Sequence, residues 1–295
     1  MNSEKEVCCA FRKRDAGFNI NTAANDSRIR VAYLEGSRVN PNVPKDIFQD
    51  YDVVYVVSEM KSFRDDKDWI NRFGKRLFMQ YPEESVYYPS DVNSCYGWLM
   101  QFTDGNRLDL HVCTLEYARK HLDLYKTLLD KDSLMPKKQM LSDERYWVRK
   151  PTAEQFHCTC NEFWWCLNNV AKGLRREEIP YVMDMINYQV RPMLRRLLEW
   201  EIGIENNFSV SVGKSAKYMN KYVSKGIYQK YLQTYSAAQI DAIWNAVFDM
   251  CDLFGKIAIQ ISGKLSFSYD LREADNSKEY LNHIKNLPNN ATEIY

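Results

Sequence analysis

The N-terminal part of the chain alternates short apolar runs with polar turns, which is the pattern of a β-sheet. In residues 29–34 every second side chain is large and apolar, as in a strand with one buried face. Residues 53–57 are almost entirely β-branched, which is typical of a central strand buried on both faces. Residues 66–76 instead carry apolar side chains at helical spacing. The pattern therefore predicts two strands followed by a short helix.

A second pair of apolar runs, residues 98–102 and 107–112, is separated by a turn that contains Asp104 and Gly105. An Asp-Gly pair between two strand-like runs is a strong signal for a hairpin. From Thr114 to about residue 129, leucine and tyrosine recur at helical spacing. We expect a β-hairpin followed by one long helix in this region.

The C-terminal part of the chain has a helical apolar period. We expect helices over residues 153–173, 177–203, 215–224 and 238–264. Thr152 and Gln155 have the spacing of a capping box that would start the first of these helices. Pro192 should kink or divide the second. The residues after Ser266 are polar, and we expect them to be partly disordered.

The predicted fold class is α+β. A mixed sheet flanked by helices forms the N-terminal domain, and a helical bundle forms the C-terminal domain. A polar stretch with a proline and paired lysines separates the two and indicates a linker. The expected boundaries are an N-terminal domain over 1–135, a linker over 136–150, a helical domain over 151–265 and a polar tail over 266–295.

The composition narrows the class of protein. The chain has 295 residues, of which 45% are hydrophobic and 27% charged, as in ordinary globular proteins of two domains. It has no apolar run of ~18 residues that could span a membrane, and its polar start lacks a signal-peptide core, so we expect a cytoplasmic location. The net charge of +1 argues against a nucleic-acid partner, which would require a basic surface, and favours a small substrate.

Candidate chemistry lies where two predicted strands begin or end. Gly36 and Ser37 follow the first strand, and a Gly-Ser turn can hold phosphate oxygens on its backbone N–H groups. Asp50 and Asp52 open the next strand, and carboxylates at positions i and i+2 of a strand point to the same face. Asp109 lies in the middle of a later strand between two leucines. These groups together could hold divalent metal and nucleotide phosphates.

A buried Asp109 needs a partner because an unpaired buried charge is costly. The partner could be a metal ion or a salt bridge to Arg107 or Arg38. The metal interpretation assigns Asp50, Asp52 and Asp109 to Mg²⁺, which prefers hard oxygen ligands. Two such ions can activate an attacking hydroxyl and stabilise a leaving pyrophosphate. In this scheme Asp109 also helps to deprotonate the nucleophile, and Ser37 and Arg38 hold the β- and γ-phosphates.

These motifs resemble the nucleotidyltransferase superfamily, and more specifically its aminoglycoside 6-adenylyltransferases, which modify streptomycin. The resemblance extends from about residue 26 to residue 264 and continues through the helical half. It rests on residues 34–38, 48–52, 108–110, 148–151, 160–164 and 212–217. It implies that AMP passes from ATP to a hydroxyl of the antibiotic with Mg²⁺ present, that pyrophosphate is released, and that the acceptor lies between the two domains. Antibiotic resistance follows as the expected role.

Further candidates lie in and around the helical domain. Lys150, Lys214 and Lys217 could reach the phosphates of ATP as point charges, with solvated surface lysines as the alternative. Glu162 could bind a cationic acceptor or act as a general base, with a helix-surface glutamate as the alternative. Asp184 is a second candidate for binding the acceptor. The expected partners are thus ATP and a small cationic, streptomycin-like molecule.

Two other functions remain open from the sequence. One keeps the chemistry but changes the acceptor to another small molecule or to a protein side chain. The other is a non-catalytic nucleotide-binding protein. Three intact carboxylates argue against the second, because a degenerate site has no use for them.

Overall fold

The computed structural model describes residues 20–137 and 142–295. The polar start of the chain, residues 1–6, and part of the predicted linker, residues 138–141, lie outside the described residues. The chain divides into two compact units between Asp143 and Glu144. We call them the sheet unit and the helical unit, and the division falls within the segment for which the sequence predicts a linker.

The sheet unit is built on a mixed sheet, as expected. In the described residues the sheet has six strands in the order β3-β4-β5-β2-β1-β6. The pairing of β2 with β5 is parallel, whereas the other pairings are antiparallel. The strands are β1 (Ile29–Glu35), β2 (Tyr51–Val57), β3 (Arg76–Gln80), β4 (Cys95–Phe102), β5 (Arg107–Cys113) and β6 (Lys126–Asp130).

The central strand β2 is buried on both faces, which confirms the prediction from its β-branched run. Val53 and Tyr55 belong to the apolar cluster on one side of the sheet, and Val54 and Val56 to the cluster on the other. The predicted hairpin is also confirmed, since β4 and β5 pair antiparallel across the turn that contains Gly105, whose φ is +87°. A positive φ suits glycine, which has no Cβ to clash.

The long helix predicted from Thr114 to residue 129 is wrong in its second half. Thr114 caps a short helix, α2 (Leu115–His121), by accepting a hydrogen bond from the backbone N–H of Tyr117. The chain then forms the edge strand β6, which pairs with β1. Leucines at helical spacing did not reveal that this stretch completes the sheet, because backbone pairing with β1 outweighs local propensity. Ahead of β3 lie α1 (Lys61–Asp65) and a 3₁₀ turn, Trp69–Phe73.

The helical unit buries one large apolar core. The capping box predicted at Thr152 is present: its side chain accepts from the Gln155 N–H while the Gln155 side chain accepts from the Thr152 N–H. The helices are α3 (Ala153–Arg175), α4 (Ile179–Asp184), α5 (Arg191–Glu205), α6 (Lys225–Gln233), α7 (Ile240–Leu265) and α8 (Leu271–Asn286). Helices α3 and α7 meet where Phe163 stacks on Phe254, with ring centroids 3.7 Å apart.

The second predicted helix is divided, as Pro192 indicated. Between α4 and α5 the chain forms a π-helical segment, Met185–Val190, and Pro192 lies in the first turn of α5. The residues before Pro192 are themselves helical, and proline there removes one backbone donor and crowds the preceding turn, which accounts for the departure from regular α-helical bonding.

The helix expected over residues 215–224 is not formed. The chain makes two short 3₁₀ turns, Lys214–Ala216 and Met219–Lys221. Gly213, Ser215 and Ala216 have φ values of +73°, +55° and +57°, which an α-helix cannot accommodate. The next helix, α6, begins only at Lys225.

The polar tail expected after Ser266 contains the well-formed helix α8. Asp270 caps the helix by accepting from the N–H groups of Arg272 and Glu273. Its apolar stripe is narrow, with Ala274, Leu281 and Ile284 buried. A few buried residues on a mostly polar helix are hard to detect from composition, and the expectation of disorder was therefore wrong. None of the described helices has both the length and the apolar character needed to cross a bilayer.

Candidate active site

Three carboxylates of the sheet unit meet at the start of β2. One carboxylate oxygen from each of Asp50, Asp52 and Asp109 lies within 4.8 Å of the others. The parallel pairing of β2 with β5 sets Asp52 beside Asp109, and Asp50 immediately precedes β2. Asp109 is buried, whereas Asp50 and Asp52 are half-buried. The register of two strands thus assembles a cluster whose members are far apart in sequence.

The Gly36 turn packs directly against this cluster. Gly36 has a φ of +71°, and a Cβ built on it would lie 2.1 Å from Oδ2 of Asp52. The position thus requires glycine twice, once for its backbone conformation and once for the space that the Asp52 carboxylate occupies. The glycine predicted to approach phosphate also makes room for a metal-ligand candidate.

Ser37 and Arg38, the predicted phosphate ligands, hold the chain that leads into β2. The Arg38 guanidinium donates to the backbone carbonyls of Gln49 at 2.6 Å and Asp50 at 2.7 Å. It also lies over the ring of Tyr51, 3.5 Å from the ring centroid. The Ser37 hydroxyl accepts from Gln49 Nε2 at 3.2 Å. Arg38 therefore fixes the backbone on which Asp50 sits, and Ser37 contacts the side chain of the preceding residue, Gln49.

Lys45 is a residue near the site that the sequence did not single out. Its ammonium group donates to the carbonyls of Ser37, Arg38 and Asn40 at 2.9, 3.1 and 3.0 Å. These three hydrogen bonds stabilise the Gly36 turn, and Lys45 adds a positive charge beside that turn. No sequence motif marks this lysine, since its three partners are backbone atoms.

Asp109 has the arginine partner that the sequence left open as an alternative to metal. Arg107 lies two positions earlier on the same face of β5, and its Nε and Nη2 donate to Oδ1 and Oδ2 of Asp109 at 2.7 and 2.6 Å. Its Nε is also 3.8 Å from Oδ2 of Asp50. One guanidinium therefore offsets part of the charge of the cluster.

Asp52 remains poorly compensated. Burial, followed by the nearby charges of Asp50, Asp109 and Glu35, raises the pKa of Asp52 to about 7, although Arg107 acts in the opposite direction. Two or more carboxylates at this separation cannot all ionise freely unless a cation joins them. Three hard oxygen donors around an under-compensated charge fit a divalent metal ion.

Glu35 is a second residue that the sequence did not identify. It ends β1 and pairs in register with Asp52, so Glu35, Asp52 and Asp109 form a row across three adjacent strands. Burial raises the pKa of Glu35 as well. The row follows from strand order, which no local sequence pattern reveals.

The helical unit contains its own cavity of about 880 Å³. Glu162 on α3 lines it, as does Glu199 on α5, which the sequence did not single out. Burial raises the pKa of Glu199. The remaining lining residues are Tyr146, Trp147, Val148, Arg149, Gln155, Cys158, Thr159, Met193, Arg196, Trp200, Val212 and Gly213.

The other candidates of the helical unit lie on its surface. Lys150, Lys214 and Lys217 are exposed. Lys150 and Lys214 adjoin the cavity residues Arg149 and Gly213 in sequence, although neither lysine lines the cavity. Asp184 ends α4, is exposed, and does not line the cavity either.

The chain as a whole is similar to proteins of one family. The family model of streptomycin adenylyltransferase matches residues 17–284. An aminoglycoside 6-adenylyltransferase of Bacillus subtilis (strain 168) is 38% identical over 91% of this chain and 93% of its own length. A protein of the same name from Campylobacter jejuni is 37% identical over 92% of both chains. The crystal structure of an aminoglycoside 6-adenyltransferase from Bacillus subtilis covers 92% of this chain and 97% of its own, with 34% identity and a TM-score of 0.47.

The region matched by the family model takes in both units and runs from before β1 into the last turn of α8. The chain belongs to the streptomycin adenylyltransferase family.

Proposed function

We propose that this protein transfers AMP from ATP to a hydroxyl group of streptomycin, releases pyrophosphate and thereby confers resistance to the antibiotic. The observation that carries the proposal is the cluster of Asp50, Asp52 and Asp109 in a chain of this family. A reaction that uses ATP needs a compartment that contains it, and we therefore propose that the protein acts in the cytoplasm.

Asp50, Asp52 and Asp109 are the residues that would hold Mg²⁺. Bound there, the ion would offset the charge of the triphosphate and lower the pKa of the acceptor hydroxyl. The raised pKa of Asp52 supports this assignment, because a carboxylate held partly protonated by burial gains most from a nearby cation.

The protein's own groups position the reactants. The Gly36 turn would present its backbone N–H groups to phosphate oxygens, next to Ser37 and the positive charges of Arg38 and Lys45. Asp109, aligned by Arg107, would accept the proton of the attacking hydroxyl. An arginine fork fixes the direction of a carboxylate, so the Asp109–Arg107 contact is compatible with Asp109 acting as the proton acceptor.

The exposed side chains of the helical unit complete the proposal. Lys150, Lys214 and Lys217 would add positive charge for the phosphates of ATP. Glu162 and Asp184 would attract a cationic acceptor. Lys214 follows Gly213, which lines the cavity beside Glu162, and this supports a substrate role for that part of the helical unit.

The decisive experiment is mass spectrometry of streptomycin after incubation with the protein, ATP and Mg²⁺. We expect streptomycin to gain the mass of one AMP moiety and pyrophosphate to appear in equal amount. Asp50→Asn serves as the inactive control. If the wild-type protein modifies another acceptor but not streptomycin, the acceptor assignment is wrong. If it releases no pyrophosphate with a panel of aminoglycosides, the protein is not an adenylyltransferase of these antibiotics.

A further inference from the structure

We propose that the cavity of the helical unit recognises the guanidinium groups of the acceptor, and that Glu199 is the carboxylate that pairs with one of them. The inference rests on the proposed function, because streptomycin carries guanidinium groups. It adds a residue and a type of contact to that proposal. The cavity volume of about 880 Å³ is within the range of small-molecule sites.

Glu199 is a carboxylate with incomplete compensation. Its side chain is 29% exposed, and its nearest cation is Arg195, whose Nε lies 3.6 Å from Oε1. Across the described parts of the chain, no donor forms a hydrogen bond with this carboxylate. Removing a charge from water without such bonds costs free energy, so a cationic ligand that supplied them would be favoured.

Glu162 provides a second acceptor in the same cavity. It lies on α3, whereas Glu199 lies on α5, so the two carboxylates enter the cavity from different helices. The only donor to Glu162 among the described residues is the thiol of Cys166, at 3.3 Å. A thiol is a weak donor. Both glutamates thus keep lone pairs for a ligand, and a guanidinium can satisfy two carboxylate oxygens at once.

The walls of the cavity also suit a planar cation. Trp200 is buried and Trp147 half-buried, and guanidinium groups stack on indole faces. Arg196 and Arg149 are the opposing charges. Arg196 donates to the Thr159 hydroxyl at 3.5 Å and Arg149 to the Glu144 carbonyl at 3.3 Å. The two arginines and the two glutamates of the lining therefore have a formal net charge of zero. Selection of a cation must then depend on the positions of the two carboxylates within the cavity.

Cys158 gives a direct readout of occupancy that is independent of catalysis. It lines the cavity and is exposed, whereas the other described cysteines are buried. Its alkylation by iodoacetamide can be followed by mass spectrometry of the peptide that contains it, with no ATP present. We expect saturating streptomycin to slow this alkylation at least tenfold. Kanamycin, whose charges are ammonium groups, should protect much less at the same concentration.

The arginines of the lining make nucleotide phosphate the competing occupant. ATP alone is therefore tested in the same assay. Protection by ATP but not by streptomycin would overturn the inference, because the cavity would then hold the nucleotide. Equal protection by kanamycin and streptomycin would also overturn it, since recognition would not depend on the guanidinium group.

The variant Glu199→Gln tests the residue itself. It keeps the size of the side chain and removes the charge. We expect the concentration of streptomycin that gives half-protection of Cys158 to rise at least tenfold, while the KM for ATP stays the same. Glu205→Gln is the matched control, because Glu205 is on the same helix, is exposed, and pairs with Lys264 outside the cavity. An unchanged half-protecting concentration in Glu199→Gln would contradict the assignment.

The two proposals fail in different ways. Protection of Cys158 by streptomycin with no AMP transfer would support the binding site and refute the proposed activity. AMP transfer to streptomycin with no protection of Cys158 would support the activity and refute the binding site.

Discussion

The carboxylates of the sheet unit and those of the helical unit differ in how closely they are grouped and in how well protein cations compensate their charge. In the sheet unit, Asp52 and Asp109 are neighbours in paired strands, and Arg107 on one of those strands neutralises part of their charge. In the helical unit, Glu162 and Glu199 lie on separate helices around a cavity and have weak protein partners. The sheet unit brings its carboxylates together in one cluster, whereas the helical unit places its carboxylates on separate walls of a cavity.

This difference indicates different tasks. A concentrated cluster with hard oxygen donors suits an ion and the chemistry of phosphate. Separated carboxylates in a cavity with aromatic walls suit an organic cation.

The largest effect is expected when the sheet cluster loses a charge. Asp52→Asn should reduce the rate of AMP transfer at least a thousandfold, which corresponds to about 4 kcal/mol of transition-state stabilisation. The fold should be unchanged by circular dichroism, because the amide fits the same space. Asp65→Asn, which alters an exposed carboxylate of the same unit, should keep full activity. Near-normal turnover in Asp52→Asn would show that the cluster of Asp50, Asp52 and Asp109 does not take part in catalysis.

The second prediction concerns stability and tests whether α8 belongs to the folded core of the helical unit. Leu281 on α8 is 1% exposed, so Leu281→Ala should lower the free energy of unfolding by about 3 kcal/mol. Leu271, on the same helix, is 54% exposed, and Leu271→Ala should cost less than about 1 kcal/mol. Urea denaturation measures both. Equal effects would mean that α8 is not part of the folded core.

A third test separates backbone strain from crowding at the site. Gly36→Ala and Gly105→Ala each place a Cβ on a residue with positive φ, at a cost of about 1 kcal/mol of stability. At Gly105 the new Cβ meets no described atom within 4 Å, whereas at Gly36 it meets Asp52. Only Gly36→Ala should therefore lose activity, by about a hundredfold or about 2.7 kcal/mol. Similar activity in the two variants would contradict a tight fit between Gly36 and Asp52.

The smallest effect is a dependence of stability on pH. The pKa of Asp52 is raised from its usual 3.8 to about 7, so the folded protein retains a proton that the unfolded chain releases near pH 4. The stabilisation linked to that proton is complete below pH 4 and is lost as the pH rises through 7. Between pH 5 and pH 8, without metal, the wild-type protein should lose about 2 kcal/mol more stability than Asp52→Asn.

Chelator-treated protein is the material for this measurement, with urea denaturation at the two pH values. Added Mg²⁺ should restore the stability of the wild-type protein at pH 8 and leave Asp52→Asn nearly unchanged. Parallel pH profiles for the two proteins would show that Asp52 is not under-compensated.

Much of the fold followed from local signals in the sequence. The β-branched run of β2, the Asp104-Gly105 turn and the Thr152–Gln155 capping box each depend on residues close together in the chain, and the structure contains all three. Strand β6 and helix α8 were missed because their stability comes from a distant partner, β1 in one case and the helical core in the other.

The candidate sites divide in the same way. Asp50, Asp52 and Asp109 could be singled out because an Asp-x-Asp pair and a strand aspartate are visible in the sequence. Glu35 joins them only through the pairing of β1 with β2, and Lys45 only through contacts with backbone carbonyls. Glu199 is a candidate only because it lines a cavity whose walls come from several segments of the chain. Positions that depend on long-range register or on enclosed space have no local signature.

The π-helical segment Met185–Val190 has a consequence for the chain downstream of it. A π turn holds about one residue more than an α turn, and each residue advances the direction of side chains by about 100°. The extra residue therefore sets the rotation of α5 about its axis relative to α4, and with it the side chains of α5 that face the helical core. Pro192 has no N–H to donate, so this turn cannot adopt regular α-helical bonding. Deleting one residue from the segment should accordingly turn Leu194 and Leu198, which are fully buried, away from the core and destabilise the helical unit.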